Sequence, residues 1–180
     1  MALKATIFKA TLSISDLNRN YYEEHSLTLA RHPSETDQRM MFRLVAYVLN
    51  AEEHLEYTRG ISGEDEPDLW EKSLSGEIKH WIDLGQPDEK RIRQACAKAQ
   101  RVSIYTYQKN AALPWYEGIQ NKIQRFDNLE IIHLATLDKA SIETMVDRSM
   151  KLSCTIQDDQ IWLDNGKSNL RVEYKALKHL

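Results

Sequence analysis

The sequence predicts an α+β fold in which a mixed sheet is flanked by helices. Alternating apolar and polar residues open the chain at Lys4–Ile14 and close it at Asn169–Ala176, the period of half-buried strands. Two internal stretches, Met41–Val48 and Ile92–Ala99, instead repeat apolar residues at helical spacing. Strands and helices are distributed unevenly rather than in strict alternation, which favours α+β over α/β. At 180 residues, one domain over residues 1–180 buries roughly 70% of its unfolded surface.

The elements follow in order. In the first strand, Lys4–Ile14, Phe8, Ala10, Leu12 and Ile14 share a face. Residues 15–20 make a turn, and Tyr21–Arg31 is the second strand. Ser34 is the expected N-cap of a helix running to about Ala51, with Asp37 completing a capping box. Met41, Leu44, Val45 and Val48 form its buried stripe. Short strands are expected at Leu55–Gly60, Asp68–Leu74 and Glu77–Leu84, with an acidic loop, Glu64-Asp65-Glu66-Pro67, before the second. Pro87 suits the first turn of a helix, where Asp88 and Glu89 complement the dipole. Ile92, Ala95, Cys96 and Ala99 are its apolar face. A strand at Val102–Tyr107, a helix at Trp115–Arg125, a strand at Leu129–Leu134 and a helix at Ala140–Arg148 come next. An added antiparallel set, Lys151–Ile156, Gln160–Asp164 and Asn169–Ala176, closes the chain, with turns at Asp158-Asp159 and Asn165-Gly166.

Net charge is −3, which argues against a surface coated in nucleic-acid-binding charge but leaves room for a local basic groove. No run approaches the ~18 apolar residues of a membrane span, and the N-terminus lacks a signal peptide's apolar block. Cys96 and Cys154 have no metal-type spacing and are expected to be buried thiols of a cytoplasmic protein.

The stretch Asp68–Asp83 carries the strongest site signal. If Ser75-Gly76 is a two-residue hairpin loop, Lys72 faces Lys79, Trp70 faces Trp81 and Asp68 faces Asp83. Facing residues lie on one side of the hairpin with Cβ atoms about 5 Å apart. Opposed like charges are destabilising unless one is protonated or a cation sits between them. Two alternatives stand: the acids splay into water at a solvated strand end, or they hold a hard divalent ion such as Mg²⁺ or Mn²⁺. A slip of two residues would bring Glu66 opposite Asp83, so Glu66 is a supplementary candidate ligand.

Several segments resemble the bacterial YaeQ family: Ala30-Arg31-His32-Pro33-Ser34-Glu35-Thr36 with Arg39-Met40, Thr58-Arg59-Gly60, Asp65-Glu66-Pro67, Trp81-Ile82-Asp83-Leu84-Gly85 and Pro87-Asp88-Glu89. The opening Met1–Ile7 fits as well, so the resemblance spans essentially the whole chain. It implies a PD-(D/E)XK nuclease-like fold: a helix, three antiparallel strands, a helix and a further strand. By the same resemblance, Pro67-Asp68 matches the first motif acid and Asp83-Leu84 the second. Asp68 and Asp83 would then be metal ligands and catalytic acids, with the main-chain carbonyl of Leu84 as a further ligand and Glu35 as the acid of the first core helix. The motif's lysine position is Gly85. Lys72 and Lys79 lie about 13 Å along the strands and are poor substitutes. Arg91 and Arg93 are better placed to reach the strand end, but arginine holds an anion and does not act as a base.

Other features are weighed similarly. Arg31-His32 precedes a helix N-terminus and either contacts phosphate or forms a structural corner. Arg39 and Arg43, one turn apart, either are solvated or touch phosphate. Tyr105/Tyr107 and Trp115/Tyr116 either stack on bases or pack. His25, His54, His80, His133 and His179 show no ligand spacing. The expectation is therefore a metal-dependent nuclease-type site acting on the phosphodiester bonds of nucleic acid. The alternative is a non-catalytic nucleic-acid- or protein-binding module that retains the fold without the lysine.

Overall fold

A computed structural model describes residues 4–58 and 65–180. It contains ten strands and three α-helices within those residues. The chain divides into two compact units, one of Met1–Asn50 and Ala135–Tyr174, the other of Ala51–Leu134 and Lys175–Leu180. Both mix helix with strand, as the α+β reading requires.

In the first unit, β1 (Thr6–Asp16) and β2 (Tyr21–Arg31) pair antiparallel over eleven residues without a break. Phe8, Ala10, Leu12 and Ile14 are buried, as their alternation predicts. Helix α1 (Asp37–Asn50) is buried from Met40 through Val48, so its core extends around the helix and not only along the expected stripe. Its cap differs from expectation. Thr36 Oγ1 accepts from the Arg39 N–H at 3.1 Å, while the Ser34 hydroxyl is engaged by His32 Nδ1 at 2.6 Å. Arg43 is also corrected: it is buried, with Nη2 donating to Ala30 O at 3.1 Å and Glu35 Oε1 at 2.8 Å.

In the second unit, β3 (Leu55–Tyr57), β4 (Leu69–Lys72) and β5 (Ile78–Leu84) are antiparallel. The expected end of β3 at Gly60 lies outside the described residues, as do Arg59 and Glu64. Helix α2 (Glu89–Lys98) leads to β6 (Ala99–Thr106), parallel to β5. Helix α3 (Lys109–Ile123) leads to β7 (Leu129–Thr136), parallel to β6. Helix α3 starts six residues before the expected Trp115 and carries Pro114 inside it. Trp81, Ile92, Ala95, Val102, Ile104 and Ile131 form the core between these strands and helices.

The expected helix at Ala140–Arg148 is only a 3₁₀ turn, Ile142–Met145. The closing set is β8 (Ser149–Gln157), β9 (Gln160–Asp164) and β10 (Asn169–Lys178), antiparallel as expected, with β8 parallel to β1. No helix among the described residues is long and apolar enough to cross a membrane.

Candidate functional site: a buried acid pair closed by an arginine

The β4–β5 hairpin reaches the expected acid pairing by an unexpected route. Its loop is Leu74-Ser75-Gly76, closed by Ser73 N–H to Glu77 O at 2.8 Å and Gly76 N–H to Ser73 O at 3.0 Å. Gly76 takes φ +90°, a conformation that costs a residue with a Cβ. A three-residue loop displaces the pairing by one, so Lys72 faces Ile78 and not Lys79. A bulge beside Lys79 then restores the register: Glu71 faces His80, Trp70 faces Trp81 and Leu69 faces Ile82. The next position brings Asp68 beside Asp83, and the Asp68 N–H donates to Asp83 Oδ1 at 3.3 Å. Lys72 lies over the Trp70 ring, its Nζ 3.8 Å from the centroid, and Lys79 pairs with Glu71 at 3.6 Å.

Both aspartates are buried, at 6% and 3% exposure, so the solvated strand end is not what forms. Asp83 Oδ2 accepts from the Trp81 indole at 3.0 Å and from Arg91 Nε at 2.8 Å. Its Oδ1 accepts from Arg91 Nη2 at 3.0 Å. Arg91 thus grips the carboxylate as a two-pronged fork, the strongest geometry open to this pair. Asp68 Oδ2 accepts from the Leu84 N–H at 2.8 Å. Burial raises the Asp83 carboxyl above its ordinary range; the Arg91 hydrogen bonds pull it down, and the neighbouring Asp68 charge pushes it up again.

Local sequence places the arginine. Gly85 leaves β5 at φ +102° while its N–H still donates to Tyr105 O at 2.8 Å. Asp88 caps α2 by accepting from the Arg91 N–H at 2.8 Å. Arg91 therefore sits in the first turn, where its side chain reaches back to β5. Its Nη2 also donates to Glu66 O at 2.9 Å, and its guanidinium lies 5.7 Å from the Trp81 ring centroid. A cleft lined by Asp65, Asp88, Lys90, Arg91 and Gln94 opens beside the fork.

The other candidates fall into place differently. Glu66 contributes its carbonyl to Arg91 rather than a carboxylate to the acid pair. Glu35 belongs to the first unit, where Arg39 Nη1 holds one oxygen at 2.7 Å and Arg43 the other. Arg31 pairs with Asp37, and His32 accepts from the Ser34 N–H at 3.1 Å, building a structural corner. Half of the Glu35-Arg39-Arg43 network was legible in principle: Arg39 and Arg43, spaced by four, share a face of α1, whereas Glu35 precedes the helix.

A metal-ion fit can be judged from the donors present. Both oxygens of Asp83 already accept hydrogen bonds, one from each prong of the Arg91 fork. Asp68 Oδ2 is turned to the Leu84 amide. As arranged, these residues do not fit a bound divalent ion. No group of three or more His, Cys, Asp or Glu side chains among the described residues could hold one.

A second polar chain escaped sequence reasoning. His80 on β5, Ser103 on β6 and Glu130 on β7 link side by side, with His80 Nε2 2.7 Å from Ser103 Oγ and Ser103 donating to Glu130. Arg101 closes the chain on Glu130. Burial drives the His80 pKa down to about 3, with the nearby Arg101 charge adding to the effect. Finding this chain needs the parallel β5–β6–β7 register, which no local pattern announces. The fully buried Ser103 is no exposed nucleophile.

The YaeQ protein family model matches residues 1–174. The Escherichia coli (strain K12) protein called "Uncharacterized protein YaeQ" is 47% identical over 176 residues, covering 98% of this chain and 97% of that one. A protein of the same description from Salmonella typhi is 46% identical over the same length. The crystal structure of YaeQ protein from Xanthomonas axonopodis pv. citri superposes with a TM-score of 0.93 at 39% identity, covering 98% of this chain and 99% of that one. That of the Pseudomonas syringae protein gives 0.89 at 32% identity, covering 98% and 97%. This chain belongs to the YaeQ family.

Proposed function

We propose that this protein is a non-catalytic nucleic-acid-binding module built on a nuclease-like frame, in which Arg91 stands where a nuclease would hold its metal. The fork on Asp83 carries the reading. It neutralises a buried carboxylate with a permanent cation and fills the oxygens that a metal would ligate. Two further features agree with it. The element order α1, β3, β4, β5, α2, β6 is the one the nuclease-like frame requires. At the motif's lysine position stands Gly85, at φ +102°, a backbone conformation a lysine rarely adopts.

The binding side rests on α2. Its sequence, Glu89–Lys98, holds four cations against one acid. Lys90, Arg93 and Lys98 are exposed; Lys90 lines the cleft at Arg91, and Lys98 pairs with Asp65 on its wall. Their ion pairs, Arg93 with Glu89 at 3.9 Å and Lys98 with Asp65 at 3.2 Å, are surface pairs that phosphate can displace. Phosphate contacts of this kind give affinity without sequence preference.

Labelled single- and double-stranded DNA and RNA, followed by fluorescence anisotropy at several salt concentrations, test the reading. Binding is expected to weaken steeply with salt. The triple substitution Lys90→Ala, Arg93→Ala, Lys98→Ala should flatten the double-stranded salt slope by about 3. No product should form with Mg²⁺ or Mn²⁺. Failure of every nucleic acid to bind at low salt would remove the binding reading. Metal-dependent cleavage that disappears in Asp83→Asn would replace it with a nuclease.

A further inference from the structure

The free edge of β2 carries an independent inference. Lys9 N–H donates to Arg148 O and Leu17 N–H to Ile156 O, each at 2.9 Å. Backbone groups alternate along a strand, so the odd-numbered β1 residues face β8 and the even-numbered ones face β2. In the β1–β2 register, Phe8, Ala10, Leu12, Ile14 and Asp16 meet Leu29, Leu27, His25, Glu23 and Tyr21. Those β2 residues therefore bond to β1, and Tyr22, Glu24, Ser26, Thr28 and Ala30 point their N–H and C=O groups outward. Arg43 agrees, because it donates to Ala30 O from outside the β1–β2 ladder.

Arg43 closes the edge at Ala30. From Tyr22 to Thr28 the outward groups face no strand among the described residues, because β2 ends their strand order. Tyr22, Glu24, Ser26 and Thr28 are all exposed. The usual devices that blunt such an edge are charged side chains, lysine above all, proline and bulges. Proline and lysine are absent from Tyr21–Arg31 and the pairing with β1 is unbroken, which leaves Glu23 and Glu24 as the charges on the free stretch.

We propose that β2 is the seam of a homodimer, in which two copies pair antiparallel about a two-fold axis at His25. The midpoint of the free stretch sets that register. Tyr22 then faces Thr28 of the second copy and Glu24 faces Ser26, so every outward N–H and C=O of these four residues is paired. Glu23 faces Leu27, and no two acids stand directly opposite. Side chains keep their faces, because the two-fold axis pairs residues of the same parity. His25 at the axis is held in place by the hydroxyls of Tyr21 and Tyr47, each at 2.7 Å.

Sedimentation velocity of the full chain, from low to several hundred micromolar, tests the seam. A particle of twice the 21.0 kDa chain mass is expected. Ser26→Pro removes an outward N–H and leaves the β1 ladder intact, so it should give a folded monomer by circular dichroism. Thr28→Pro, at the same edge, serves if Ser26→Pro does not fold. In the wild type, deuterium exchange at the Glu24, Ser26 and Thr28 amides should slow as concentration rises. A single-chain mass at every concentration would overturn the proposal, including the case in which the edge takes up only an added basic extended peptide. So would a dimer that persists in the folded proline variants.

Discussion

Asp83 shows how an arginine fork compensates a buried carboxylate. Its carboxylate, 3% exposed, would be prohibitively costly alone, and the Arg91 fork with the Trp81 indole supplies its solvation. Removing one partner leaves the other buried and unpaired, which costs about 3–5 kcal/mol. Arg91→Ala is expected to destabilise the protein by about 3 kcal/mol in urea unfolding, and the double variant Arg91→Ala, Asp83→Asn by less than the two single effects added together. Strictly additive losses would show that the fork does not couple these residues. The sequence revealed the acid pair through strand arithmetic and pointed to Arg91 as a side chain that could reach it. It did not reveal that the arginine saturates the acid, because that depends on the Asp88 cap and on the turn at Gly85.

At the scale of elements, alternation located β1, β8 and β9, whose buried and exposed residues alternate, and helical spacing located α2 and the buried stripe of α1, although α1 is buried beyond that stripe. Boundaries were lost where local chemistry competed. Ser34 and Thr36 both offer a capping hydroxyl, and His32 takes the first while Arg39 N–H takes the second. Thr36→Ala should therefore cost about 1 kcal/mol and Ser34→Ala much less, by urea unfolding; the reverse order would put the cap back at Ser34. The helix expected from Trp115 begins at Lys109 instead, and it takes Pro114 into its interior despite the missing donor. Around Ala140–Arg148 the apolar spacing fits a helix, but only one 3₁₀ turn forms before β8 begins. The hairpin holds two one-residue irregularities that cancel, so the acid pair was placed correctly from a loop that was not.

For the molecule as a whole, acid sensitivity follows from His80. Its pKa falls from 6.5 to about 3 on folding. The unfolded chain therefore takes up a proton below about pH 6.5 that the folded chain refuses, and stability drops as pH falls from there towards 3. The slope from this one group is at most about 1.4 kcal/mol per pH unit. His80→Gln, which can still donate to Ser103, should flatten the difference in urea stability between pH 7 and pH 5; an unchanged difference would assign the loss to other groups. The net charge of −3 argued only against a surface coated in binding charge, and α2, with four cations against one acid, shows how a single element can differ in sign from the chain-wide sum. The central claim is that Arg91 takes a metal's place on the acid pair, and Mn²⁺ binding followed by electron paramagnetic resonance tests it most directly. The wild type is expected to leave micromolar Mn²⁺ free, whereas Arg91→Ala, with its carboxylates released, should bind it; one equivalent bound tightly by the wild type and lost in Asp83→Asn would contradict the account.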